Sequence, residues 1–290
     1  MFVYLPKQIF MKIYRSILIL LCVMVSACTH AEQKEMHAKD IIKLLEKGKN
    51  VEIANKIILD DLDFTLGNHL QMVSNSQIQN VINSNIFFSN CVFMGKIVTN
   101  GSKDNFPIMT KFNENLIFQN CDFRGDVDFS NAVVMGTINF NKAKFRKTSS
   151  FNNMTAFSKD AYFSEIEAES SISMIYASFL GNLFLMDGQF QSDLSLQNIT
   201  IQGKLMASGL QCTSAAEFDM MSIHGRAIFN YSKFNKQASF IQSRFFDDAD
   251  FVGTTFLENA NLENTYFFGK LNMGDKEYPC VRTMEQIMKK

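Results

Sequence analysis

The spacing of phenylalanine constrains this chain more than any other feature. Phe118, Phe129, Phe140 and Phe151 recur every eleven residues. After one extra residue near Lys159 the column continues through Phe163, Met174, Leu185, Leu196, Ala207, Phe218, Phe229, Phe240, Phe251, Leu262 and Met273. A second column lies five residues later, from Phe123, Val134, Phe145 and Ala156 to Phe234, Phe245, Phe256 and Phe267. Two residues before most centres stands a small or aliphatic residue, as in Val127, Ile138, Ala227 and Ala238 of the first column and Cys121, Ala132 and Ala143 of the second. The chain has 29 Phe and 0 Trp among 290 residues, so one aromatic type fills one kind of slot again and again.

An eleven-residue period also marks right-handed helical coiled coils. The spacing inside each unit rejects that reading. Val127, Phe129, Ala132 and Val134 stand at offsets 0, 2, 5 and 7, and at about 100° per residue they point to roughly 0°, 200°, 140° and 340°, scattered around a helix. In extended chain, offsets 0 and 2 share a face, and so do 5 and 7. Gly125, Asn131, Gly136 and Asn141 between them favour turns over helix. The unit is therefore strand, turn, strand, turn, and stacked units bury one continuous interior column.

The units Asn120-Cys121-Asp122-Phe123-Arg124-Gly125 and Asp248-Ala249-Asp250-Phe251-Val252-Gly253 resemble those of the pentapeptide-repeat family. The resemblance runs from Ile57 to about Met273 and implies an all-β fold, a right-handed quadrilateral β-helix with the centre and the residue two before it facing inward. Every second unit here has six residues rather than five, so by analogy a coil takes 22 residues instead of 20, which leaves the number of sides open. Side-chain volume supports the inward assignment. Where the centre is Phe, as at 229, 240 and 251, its neighbour is Ala; where the centre shrinks, as at Ala156, Ala168, Ala207 and Cys212, the neighbour grows to Met154, Ile166, Leu205 and Leu210. A close-packed interior of fixed cross-section requires that compensation.

The first 27 residues have to be removed before the fold is read. Lys7, Lys12 and Arg15 precede the apolar run 17–25, the charged and apolar regions of a secretion signal, which is too short to span a bilayer. Translation can start at Met1 or at Met11, from which the signal is more compact. Val25, Ser26, Ala27 and Cys28 resemble the lipobox of bacterial lipoproteins, which implies lipidation of Cys28, palmitate among the acyl chains, and residues 1–27 as signal peptide. Two acyl chains make a stable membrane anchor. Thr29, in place of an Asp after that cysteine, resembles an outer-membrane sorting signal. The mature chain then carries a mild net charge of −4.

Residues 28–37 read as a tether and 38–50 as a helix, with Ile41, Ile42, Leu44 and Leu45 on one stripe and Gly48 as its stop. That stripe either caps the open end of the solenoid or lies on anionic headgroups. The cap is the better reading, because the apolar pattern runs straight on into Val51, Ile53 and Ile57. The repeat domain spans 51–273, with Leu59, Phe64, Phe88 and Phe93 as its first centres and with excursions at 66–85 and 96–115. Residues 274–290 form a tail that can cover the last coil, whose open strand edges would invite aggregation.

The chemistry of this chain is sparse. His30, His37, His69 and His224 have no metal-ligand spacing, so neither a metal nor another cofactor is expected. Cys91, Cys121 and Cys212 fall on inward slots as small hydrophobes, Cys280 lies in the tail, and no paired spacing predicts a disulfide framework. Asp247, Asp248 and Asp250 form the sharpest carboxylate cluster, on turns and outward positions that read as a solvated edge.

Full-chain charge of −1 gives no field for holding nucleic acid. The expected function is a lipid-anchored structural or protein-interaction module of the bacterial envelope, at the outer membrane, and not an enzyme. Its protein partner is unnamed by the sequence, and a homodimer is compatible with the family. Phe106, Pro107, Ile108 and Met109, apolar but outside the repeat slots, make the second excursion a candidate partner-binding loop. Two alternatives stand beside this reading. A DNA mimic that inhibits a topoisomerase, as some cytoplasmic family members resemble, would need a long acidic face. A carbohydrate-active enzyme on a β-helix would need acids and cations clustered on one outer face.

Overall fold

The computed structural model describes residues 34–274, except 68, 75, 159 and 259, together with the backbone of Arg282–Thr283. From Glu35 onward it is a parallel β-solenoid with four strands per coil, one on each of four sheets. The chain visits the faces in a fixed order. The first face begins with Val51–Ala54, Ile86–Ser89 and Leu116–Gln119. The second begins with Lys34–Met36, a strand within the stretch expected as a tether, followed by Lys56–Ile58 and Val92–Phe93; the third begins with Leu62–Asp63 and Ile97–Val98, and the fourth with Gln77–Ile82 and Phe106–Phe112. Leu116 pairs with Ile138, and Val127 with Ser149, so a regular coil takes 22 residues. Ile138 pairs with Ala161, a step of 23 that accommodates the extra residue near Lys159. The first face has ten strands, which at about 4.8 Å per step makes a rod roughly 43 Å long.

The interior is the double column of the sequence. Phe118, Phe129, Phe140, Phe145, Phe218, Phe229 and Phe240 are all 0% exposed, and so are the compensating Leu205 with Ala207. Rings in successive coils stack: Phe118 on Phe140 and Phe140 on Phe163, each at 5.2 Å. Rings on neighbouring faces meet edge-on, Phe129 with Phe140 at 5.5 Å, and offset-stacked and edge-to-face pairs add roughly 0.5–1.5 kcal/mol each beyond burial. One slot differs from the sequence expectation. Ile58, not Leu59, pairs with Phe93 and points inward, because the second face starts one residue earlier than the regular column predicts.

The eleven-residue unit arises because the four corners are of two kinds. After each first-column centre the chain makes a tight turn closed by a bond three residues on, as from Ala143 N–H to Phe140 C=O at 3.0 Å. Its third residue has positive φ, Asn131 at 60°, Lys142 at 61° and Asn153 at 55°, which marks a type II turn and explains the Asn there. After each second-column centre the corner is one residue wider, and where it holds glycine the backbones of successive coils come together. At Gly125 a Cβ would lie 2.3 Å from the carbonyl oxygen of Gly95 in the coil before, so only glycine fits without a shift of the chain.

Corner side chains bind the coils to one another. The Oδ1 atoms of Asn141, Asn152 and Asn230 accept the N–H groups of Ser164, Ile175 and Val252 in the next coil at 2.8–2.9 Å. In the later coils Ser and Thr replace the small apolar neighbour of the second column. Ser243 Oγ donates to Phe218 C=O at 2.6 Å and accepts from Met221 N–H at 3.0 Å, bridging the turn of the coil before. Ser232 does the same for Ala207 and Leu210, so these buried hydroxyls are satisfied.

The N-terminal end is closed by helix α1, Ala38–Glu46. Ala38, Ile41 and Leu45 are buried in the same core as Val51, Ile86 and Phe88, which identifies the stripe as a cap on the first coil. The helix ends sooner than residue 50: Gly48, at φ 64°, donates its N–H to Leu45 C=O, a left-handed C-terminal stop. Among the described residues no helix is long and apolar enough to cross a membrane.

Both excursions are hairpins that widen the fourth face. Leu70–Ser74 pairs antiparallel with Gln77–Ile82, and Asn100–Lys103 pairs antiparallel with the start of Phe106–Phe112. The segment Phe106 to Met109 is therefore a strand and not a loop. Ile108 pairs with Ile78 and is 5% exposed, whereas Pro107 is exposed. The apolar residues lack a repeat slot because they build a sheet extension.

Candidate functional site: the outer faces of the solenoid

Each strand presents outward the residue between its two inward slots, and the four faces differ in what they present. On the first face the outward column is Phe87, Ile117, Asn139, Tyr162, Phe184, Met206 and Ile228, all half-buried, flanked by Glu52 before it and by Asp250 and Asn272 after it. Tyr162 stacks on Phe184 with ring centroids 5.1 Å apart. On the third face the corresponding column is Asp128, Ser150, Ser173, Ser195, Glu217 and Ser239. The two faces therefore alternate along the chain, one apolar and one polar, every eleven residues. The interior repeats with a period of eleven, the exterior with a period of 22.

The second face carries ion pairs that climb from coil to coil. Lys144 Nζ lies 2.8 Å from Glu167, and Arg146 bridges Asp122 at 2.9 Å and Glu169. The Asp122 carboxylate, and then Glu169, hold the Arg146 guanidinium above its ordinary pKa. Half-exposed pairs of this kind contribute little stability singly, but they leave that face with mixed signs and neither a basic nor an acidic field.

The corner between the fourth and first faces extends the apolar surface. Met135, Phe157, Leu180, Phe246 and Phe268 occupy equivalent positions of their coils there and are 40–45% exposed, with the polar Gln202 and His224 between Leu180 and Phe246. Phe246 stacks on Phe268 at 5.0 Å, and His224 on Phe246 at 4.6 Å. His224 is thus part of an outer ring stack. Among the described residues no three His, Cys, Asp or Glu side chains gather into a group that could hold a metal ion.

The acidic cluster is only partly at a solvated edge. Asp250 is 7% exposed and receives Arg226 at 2.9 Å, which corrects its reading as a solvated carboxylate. Asp248 accepts the Lys270 N–H at 2.8 Å and Asp247 that of Asp248. All three carboxylates are thus used in holding coils and corners. Cys91, Cys121 and Cys212 are buried thiols. Burial pushes Cys212 up to about 12 and raises Cys121 as well, whereas a hydrogen bond from Cys121 brings Cys91 down to about 7 at a site 1% exposed.

Val25, Ser26, Ala27 and Cys28 lie outside the described residues, as does most of the tail after Gly274. The face that the sequence reading missed was written in it. The slot just before each first-column centre reads Ile117, Asp128, Asn139, Ser150, Tyr162, Ser173, Phe184, Ser195, Met206, Glu217 and Ile228, and its alternation appears only when every second unit is compared.

A family model described as Pentapeptide repeats, with nine copies, matches residues 110–155 and 214–266. The interval between the matches holds Met174, Leu185, Leu196 and Ala207, where Phe gives way to smaller centres, while the coils continue unbroken through it. No curated protein and no solved structure matches the chain. The fold is that of a pentapeptide-repeat β-helix, with recognisable repeats at both ends of its regular section.

Proposed function

We propose that this chain is a lipid-anchored interaction module of the bacterial envelope, held at the outer membrane through Cys28 and presenting a rigid solenoid face to a protein partner. The observation that carries the reading is the segregation of the exterior: an apolar first face and corner beside ion-paired and serine-lined faces. Contiguous exposed apolar surface is costly to a monomer and marks interaction sites. The anchor rests on the sequence Val25-Ser26-Ala27-Cys28 after a short apolar run. The module acts by binding and not by catalysis, with Asp247, Asp248 and Asp250 and the thiols of Cys91, Cys121 and Cys212 occupied in corners and core. The mixed charges of the second face favour this reading over a DNA mimic, which needs a continuous acidic row.

The test is a pull-down from envelope extract with the full chain, comparing wild type with Cys28→Ala and recording membrane fraction and co-purifying proteins. The expected result is a specific envelope partner and membrane retention, with retention lost in the variant. A soluble, partnerless chain indifferent to the substitution would overturn the reading.

A further inference from the structure

The apolar face has an internal symmetry that points to its occupant. Counting outward from the midpoint between Tyr162 and Phe184, the column reads Asn139 and Met206, then Ile117 and Ile228, so aromatic faces aromatic and isoleucine faces isoleucine if the sequence of levels is inverted, a match that ends at the outermost levels, where Phe87 meets Asp250. An isologous contact between two copies with antiparallel rods performs that inversion, because a two-fold axis lying in the interface sets each level against its mirror level. The charges beside the column obey the same operation. Exposed Glu114 precedes the strand of Ile117, and Arg226 precedes that of Ile228 at the same corner. Inversion brings Glu114 of each copy beside Arg226 of the other. Arg226, bonded to Asp250 with its side chain 48% exposed, has guanidinium donors left to engage a second carboxylate. A parallel arrangement sets this corner against the opposite one and forms neither pairing.

We propose that the first face is a self-association surface on which two copies pack face to face with their rods antiparallel. This rests on the reading of that face as an interaction surface. Its size fits a modest affinity. The eight strands from Phe87 to Asp250 span about 34 Å, and a side of about five residues is about 16 Å wide. The strip is then roughly 550 Å² per copy, or roughly 1,100 Å² in total, close to the lower bound for a specific interface. The dimer therefore forms reversibly, and an envelope partner docks on the same face of the free chain, in competition with the second copy.

The register makes the proposal testable with the full chain in detergent micelles. Asn139 of one copy faces Met206 of the other, so neither Asn139→Cys nor Met206→Cys links to itself with a short bis-maleimide, whereas a mixture of the two variants does. Wild type, carrying the native cysteines, sets the background. In sedimentation, Phe184→Glu raises the dimer dissociation constant at least tenfold while the chain still melts cooperatively, since Phe184 points away from the core and the fold loses only its stack on Tyr162. A mixture that links no better than wild type overturns the proposal, as does Asn139→Cys linking to itself as readily as the mixture. A chain that stays monomeric yet still captures an envelope partner overturns this inference and leaves the interaction-module reading standing. A dimer without an envelope partner does the reverse.

Discussion

A phenylalanine in this interior is held from above, below and beside. Phe240 stacks on Phe218 at 4.8 Å and meets Phe229 and Phe251 edge-on at 5.6 and 5.7 Å. Phe240→Ala opens a cavity that its stacked neighbours cannot fill, and should cost about 3–5 kcal/mol; unchanged denaturant stability would contradict its inward position. Ser243 offers the polar counterpart. Replacing it by Ala strands the buried Met221 N–H and should cost about 1–3 kcal/mol, measured the same way. Cys212 adds a pH dependence. Its folded thiol ionises at about 12 against an ordinary 9.0, so the folded chain keeps a proton that the unfolded chain releases. That contribution is whole below about pH 9 and is lost as pH rises toward 12. Wild type should lose stability above pH 9 more steeply than Cys212→Ala; parallel curves would contradict it.

At the scale of strands and corners, the sequence told the inside of the coil better than its outside. All four faces feed one core, so every unit needs the same two inward slots, and the column of Phe118, Phe129 and Phe140 declares them at once. Outward residues obey the face they stand on, and a face returns only every second unit. The apolar column of Ile117, Tyr162 and Phe184 is therefore invisible at a spacing of eleven. The hairpins at Leu70–Ile82 and Asn100–Phe112 were legible as interruptions, but their strand pairing depends on Ile108 meeting Ile78, a contact across coils that no local spacing encodes. The wide corners supply a further test. Gly125→Ala would drive a Cβ into the backbone of Gly95 and should destabilise the chain by about 1–3 kcal/mol, the usual result of overpacking. A melting temperature equal to wild type would show that these corners separate more easily than their hydrogen bonds suggest.

For the molecule as a whole, the consequence is a division of labour between an interior that makes a stiff rod and an exterior that makes its sides unequal. The interior is continuous from α1 to the last coils, so residues on one face keep fixed spacing along the whole length. The central claim is that the first face, and not the solenoid in general, does the binding. The most direct test places one charge on each of two faces of the same coil, as Phe184→Glu and Gln189→Glu in the full chain, and measures capture of the envelope partner with the melting temperature as control. The account predicts that Phe184→Glu abolishes capture and Gln189→Glu preserves it, both chains melting cooperatively and Phe184→Glu losing only the stack on Tyr162. Equal capture by the two variants, or loss only with Gln189→Glu, would contradict it.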